Sequence, residues 1–119
     1  MSDFAEEMKV RTRQFGLRVI RLVQALPNDH VSHVVGKQLL RCGTSVGANY
    51  RAACRARSPA EFRAKLGIVE EECDEAIYWM ELITEAGLIH PDRLAELTTE
   101  ANEILSITVA SINTSKKNK

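Results

Sequence analysis

From Phe62 to Ile83 the chain repeats apolar side chains in strict four-three steps: Phe62, Leu66, Val69, Cys73, Ala76, Met80 and Ile83. That period matches one stripe of an α-helix and no face of a β-strand. It is also the seam of a helix packed nearly parallel to its neighbours. Ser58-Pro59-Ala60-Glu61 opens this helix with a capping hydroxyl, proline at the first helical position and a glutamate able to reach back. Gly87 closes it.

Glycine and proline divide the rest of the chain in the same way. Phe4, Met8, Phe15, Val19, Leu22 and Leu26 recur at helical spacing until Pro27-Asn28-Asp29 stops them. A second helix is predicted from about Val31 to Arg57, with Val35, Leu39, Cys42, Val46, Tyr50 and Ala53 on one face. A fourth begins at His90-Pro91, with Leu94, Leu97, Ala101, Ile104, Leu105 and Thr108 inside. No segment alternates as a strand does. Short connectors between long helices predict an all-α, antiparallel up-down-up-down four-helix bundle. Its single domain should span residues 1–114, and residues 115–119 should form a disordered basic tail.

With 119 residues the chain can bury one core but cannot build a large hydrolase sheet. Sixteen basic and sixteen acidic side chains cancel, yet they are not evenly spread. Residues 1–58 hold ten basic and four acidic side chains, and residues 59–119 hold six and twelve. Cys42, Cys54 and Cys73 have no Cys-x-x-Cys spacing. On one helix Cys42 and Cys54 would stand about 18 Å apart, too far for a disulfide, so buried thiols in a reducing compartment are expected. The acidic N-terminus and the lack of a long apolar run predict a cytoplasmic protein without membrane association.

GTSVG, residues 43–47, fits the Gly-x-Ser-x-Gly pattern of serine hydrolases. A nucleophile elbow needs a strand before the serine, a helix after it, and a histidine and acid alongside. Here the flanking residues keep one helical phase, so Ser45 is predicted to be an ordinary helical serine and no catalytic residue is assigned. Gly36, Gly43 and Gly47 each cost about 1 kcal/mol against alanine inside a helix. They form one line with Cys54, which implies close approach by another helix, from this bundle or another subunit; kinking at Gly43 is the alternative.

Opposite the apolar face of the second helix, Lys37, Arg41, Arg51 and Arg55 fall within about 80° of arc, with Arg57 beyond. Such a stripe is either a solvated, salt-bridged face or a rail for a phosphate backbone. Arg11, Arg18 and Arg21 of the first helix could widen it. Stacking aromatics are missing, so a nucleic-acid contact would be led by the backbone. The third helix carries a second seam of Ile68, Glu72, Glu75, Trp79 and Leu82. This seam is either an oligomer interface with the arginines as charge partners or the rim of a wide core stripe. Glu72-x-x-Glu75 lacks the histidine that a di-metal bundle places three residues after a glutamate, so no metal or other cofactor is expected.

Residues 38–83, QLLRCGTSVGANYRAACRARSPAEFRAKLGIVEEECDEAIYWMELI, closely resemble the bacterial 23S rRNA-intervening-sequence proteins. The shared pattern is Gln-Leu-x-Arg, Thr-Ser-x-Gly-Ala-Asn-Tyr-x-Ala, Ser-x-x-Glu-Phe, and Glu-x-x-Glu followed by Tyr-Trp. The resemblance implies a four-helix bundle that assembles as a ring-like homopentamer without known catalysis. That family is similar to the pentameric accessory proteins of diversity-generating retroelements, which are linked to nucleic acid and a reverse transcriptase. Arg41, Thr44, Ser45, Gly47, Asn49, Tyr50, Glu72, Glu75, Tyr78 and Trp79 map onto the pattern, most of them to packing and assembly. The expected function is a non-enzymatic homo-oligomer that binds RNA or another polyanion through the second helix. The alternative is a structural or protein-interaction module whose arginines are spent in subunit salt bridges.

Overall fold

A computed structural model describes residues 3–118. Four helices follow one another: α1 (Asp3–Gln24), α2 (His30–Cys54), α3 (Pro59–Glu85) and α4 (Pro91–Lys117). No strand occurs among the described residues. The contacts run in opposite senses along neighbouring helices. Thr12, Val19 and Val23 of α1 meet Gly47, Gly43 and Gly36 of α2, with Leu26 of the following connector also against Gly36. Arg63 and Cys73 of α3 meet Ser115 and Ala101 of α4. The result is an antiparallel bundle of 48 × 21 × 20 Å.

Local chemistry sets the ends of the helices. Asp29 caps α2 by accepting from the Ser32 amide at 2.8 Å, and that bond holds its carboxyl below the usual Asp value. Ser58 caps α3 by accepting from the Glu61 amide at 3.0 Å. Glu61 reaches back one residue further than a standard capping box, accepting from the Arg57 amide at 2.6 Å. Gly87, at φ 71°, closes α3: its amide bonds Thr84, and the Leu88 amide bonds Ile83.

The four-three stripe of α3 forms the centre of the core. Leu66, Val69, Cys73, Ala76, Met80 and Ile83 are buried, and Phe62 packs against them half-buried. Three sequence expectations need adjustment. Helix α2 ends at Cys54, so Arg55 is its C-cap and Arg57 lies in the connector. Helix α4 continues to Lys117, so residues 115–117 are helical instead of belonging to a tail; Lys119 lies outside the described residues. Phe4 is 50% exposed and, instead of joining the core, rims a cleft of about 930 Å³ at the open end of the bundle.

Candidate nucleic-acid interface

The GTSVG residues lie in the middle of unbroken helix. Ser45 Oγ donates to the Arg41 carbonyl at 2.8 Å, and Thr44 Oγ1 donates to that of Leu40 at 2.6 Å. Both hydroxyls serve their own helix, and among the described residues Ser45 has neither a histidine nor a carboxylate as partner. His30, His33 and His90 all sit at helix starts, where His90 Nδ1 accepts from the Asp92 amide. Among the described residues no His, Cys, Asp and Glu cluster could hold a metal ion. Burial pushes the Cys42 and Cys73 thiols up to about 12, and Cys73 Sγ donates to the Ala101 carbonyl.

The glycine line explains how α1 and α2 approach so closely. A Cβ on Gly47 would lie 3.1 Å from the Thr12 carbonyl oxygen, and one on Gly43 would lie 2.8 Å from Val19 Cγ1. One on Gly36 would lie 2.8 Å from Leu26 Cδ1. The approaching element is therefore α1 of the same protomer. Opposite, Gly16 of α1 faces the Thr44 backbone. This contact leaves a shallow outer groove of about 490 Å³, with Gly16, Thr44, Gly47 and Ala48 along its floor.

The basic stripe divides into separate parts. Arg51 and Arg55 stand exposed on one wall of the groove, and Arg13 of α1 joins them from the other. None of the three makes an ion pair among the described residues. Lys37 is exposed farther along the same face of α2, outside the groove lining. Arg41 turns the other way, toward α3, where it pairs with Glu72 at 3.2 Å and with Glu75. Arg57 faces the end cleft.

The α1 arginines expected to widen the stripe are used elsewhere or lie apart. Arg11 forms a forked pair with Glu100, both bonds 2.7 Å, and a further bond to Glu103, which tie α1 to α4. Arg18 lies beside Glu96 and Glu100, and Arg21, exposed on α1, does not line the groove. Arg13 was missed. Its signal in the sequence is the row Val10, Arg13, Leu17 and Ile20, whose three-four steps put them on one flank of α1 beside Gly16.

The second seam of α3 is split as well. Glu72 and Glu75 turn toward α2 and take Arg41, and half-buried Trp79 donates its Nε1–H to Glu75 at 3.0 Å. Ile68 and Leu82 instead remain on the outside, with Tyr78 52% exposed between them. Tyr78 and Leu82 fall on the side of α3 opposite its core stripe and Ile68 on its flank, with Glu71, Asp74, Glu81 and Glu85 on the same outer surface.

These features define a small all-α bundle with a cationic groove and no assembled catalytic group among its described residues. The family model of the 23S rRNA-intervening sequence protein matches residues 6–110, and the chain belongs to that family. Among solved structures it is similar to a Bacteroides thetaiotaomicron VPI-5482 protein of unknown function from the S23 ribosomal protein family. The two are 35% identical with a TM-score of 0.82, over 87% of this chain and 96% of that one. None of the curated proteins compared matches this chain. No helix among the described residues is long and apolar enough to cross a membrane.

Proposed function

We propose that the protein is a non-enzymatic, self-associating cytoplasmic bundle that binds RNA through the outer groove of α1 and α2. The observation that carries this reading is the set of Arg13, Arg51 and Arg55 around one groove with no carboxylate paired to them among the described residues, the groove's own Glu6 being paired with Lys9. Lys37 extends the same face. Unpaired guanidinium groups are forked donors for phosphate oxygens, and the small floor residues Gly47 and Ala48 let a backbone come close. Without an aromatic platform in the groove, the contact is to phosphate and sugar and carries little base sequence information. Self-association, as the homopentamer that the family resemblance implies, uses the exposed apolar residues of α3.

Titration of a fluorescent single-stranded RNA at two salt concentrations tests the proposal. The expected result is binding that weakens steeply with salt and is lost in Arg51→Glu plus Arg55→Glu, with helical content unchanged. RNA affinity equal to wild type in that variant would overturn it. Arg41→Glu should change RNA affinity far less, because Arg41 is already engaged by Glu72 and Glu75.

A further inference from the structure

We propose that the cleft at the open end of the bundle is a binding site for a single-chain fatty carboxylate, with the acyl chain along α4 and the carboxylate on Arg57. No residue that lines this cleft also lines the α1/α2 groove, so the inference stands apart from the RNA reading.

The space comes from the size of the side chains. The first turn of α1, the end of α2, the start of α3 and the last turns of α4 surround the cleft, and Ala53, Ala56, Ala110 and Ser111 fill little of the volume between them. Ala53 is 1% exposed, so the floor reaches the core. Phe4, Phe62 and Ile107 add apolar surface, and Phe4 has no other cover in the protomer. A volume of about 930 Å³ falls in the range of small-molecule sites, roughly 300–1,000 Å³. Its shape narrows the choice. The α4 residues in the lining run from Ile107 to Asn118, about 16 Å of helix at 1.5 Å per residue, which suits an extended chain better than a compact ring.

Charge selects the head group. Arg57 is the only charged side chain among the described lining residues; it is exposed and makes no ion pair among the described residues. The neighbouring acid, Glu61, is occupied in accepting from the Arg57 amide. On the α4 wall, Ser115 accepts from the Arg63 guanidinium at 3.3 Å, so the charged neighbour on that side is also a cation. A forked donor beside an apolar trough is complementary to a carboxylate that carries a hydrocarbon chain. Cys54 gives the site an internal reporter. It lines the cleft half-buried, whereas Cys42 and Cys73 are fully buried elsewhere in the core, so a bound chain covers Cys54 alone.

Calorimetric titration of the full chain with dodecanoate, kept below its micelle concentration, tests this. The expected result is saturation at one dodecanoate per chain. Arg57→Gln should weaken binding roughly tenfold or more, through loss of a charge-assisted hydrogen bond. Ala110→Trp, at an exposed position of α4, should fill the cleft and remove binding with helical content unchanged. Dodecyltrimethylammonium has the same chain with a cationic head and should bind roughly tenfold more weakly or worse. In the wild-type chain dodecanoate should slow maleimide labelling of Cys54, a readout that depends on no variant. A wild type that does not bind dodecanoate, unchanged affinity in either variant, equal affinity for the two amphiphiles, or an unchanged Cys54 labelling rate would each overturn the site.

Discussion

At the scale of single residues, the glycines carry most of the information. Gly47 lies against backbone, with the Thr12 carbonyl oxygen 3.1 Å from the position a Cβ would take, so only a shift of α1 could make room. Gly67, in the interior of α3, has nothing within 4 Å of the same position. Gly47→Ala is therefore expected to destabilise by about 1–2 kcal/mol, as overpacking outweighs the gain in helix propensity. Gly67→Ala is expected to stabilise by up to about 1 kcal/mol. Urea unfolding of both variants checks the pair, and equal shifts would mean that Gly47 is not a contact. A cost at the glycine line was legible in the sequence, because glycine is poor in helix interiors. Which helix approached was not, since the line does not name its neighbour. Arg41 was hidden for the same reason. Its escape from the stripe depends on the register of α2 against α3, which places Glu72 and Glu75 within reach.

At the scale of elements, the sequence was most informative where period and punctuation agreed. The α3 stripe and its Ser58-Pro59 start could be read directly, because spacing and capping chemistry act locally. The end of α2 was placed three residues late: Ala56 and Arg57 look helical by composition, but the Arg57 amide is drawn into the cap of α3. Phe4 was misplaced for a different reason. It has the right phase, but the open end of the bundle leaves its side chain uncovered. The cap of α2 also gives a pH dependence. The Asp29 carboxylate is held below its ordinary value of 3.8 by the Ser32 amide, so its contribution is complete above that value and is lost as pH falls through the lower folded value. Protection of the Ser32 amide in the first turn of α2, taken relative to the intrinsic exchange rate at each pH, should fall only below about pH 4. Equal acid sensitivity in Asp29→Asn would assign the effect elsewhere.

At the scale of the whole molecule, the polarisation in the sequence becomes a division of surfaces. Basic side chains of the first half border the α1/α2 groove, acids of the second half cover the outside of α3, and the thinly packed seam between α1 and α4 is tied by Arg11 to Glu100 and Glu103. The sequence showed the charge asymmetry and the second helix as its basic pole. It did not show the groove, because Arg13 joins Arg51 and Arg55 only after α1 and α2 close on their glycines. Four cations on that face have no ion pair among the described residues, Arg13, Lys37, Arg51 and Arg55, and they set a quantitative expectation for a ligand held through its phosphates. The measurement that tests this most directly is the affinity of wild-type protein for single-stranded RNA across a salt series. A slope of log K against log salt of about −3, close to −0.7 for each of four phosphate contacts, is the expected result. An affinity that does not respond to salt, or no binding at the lowest salt, would contradict it.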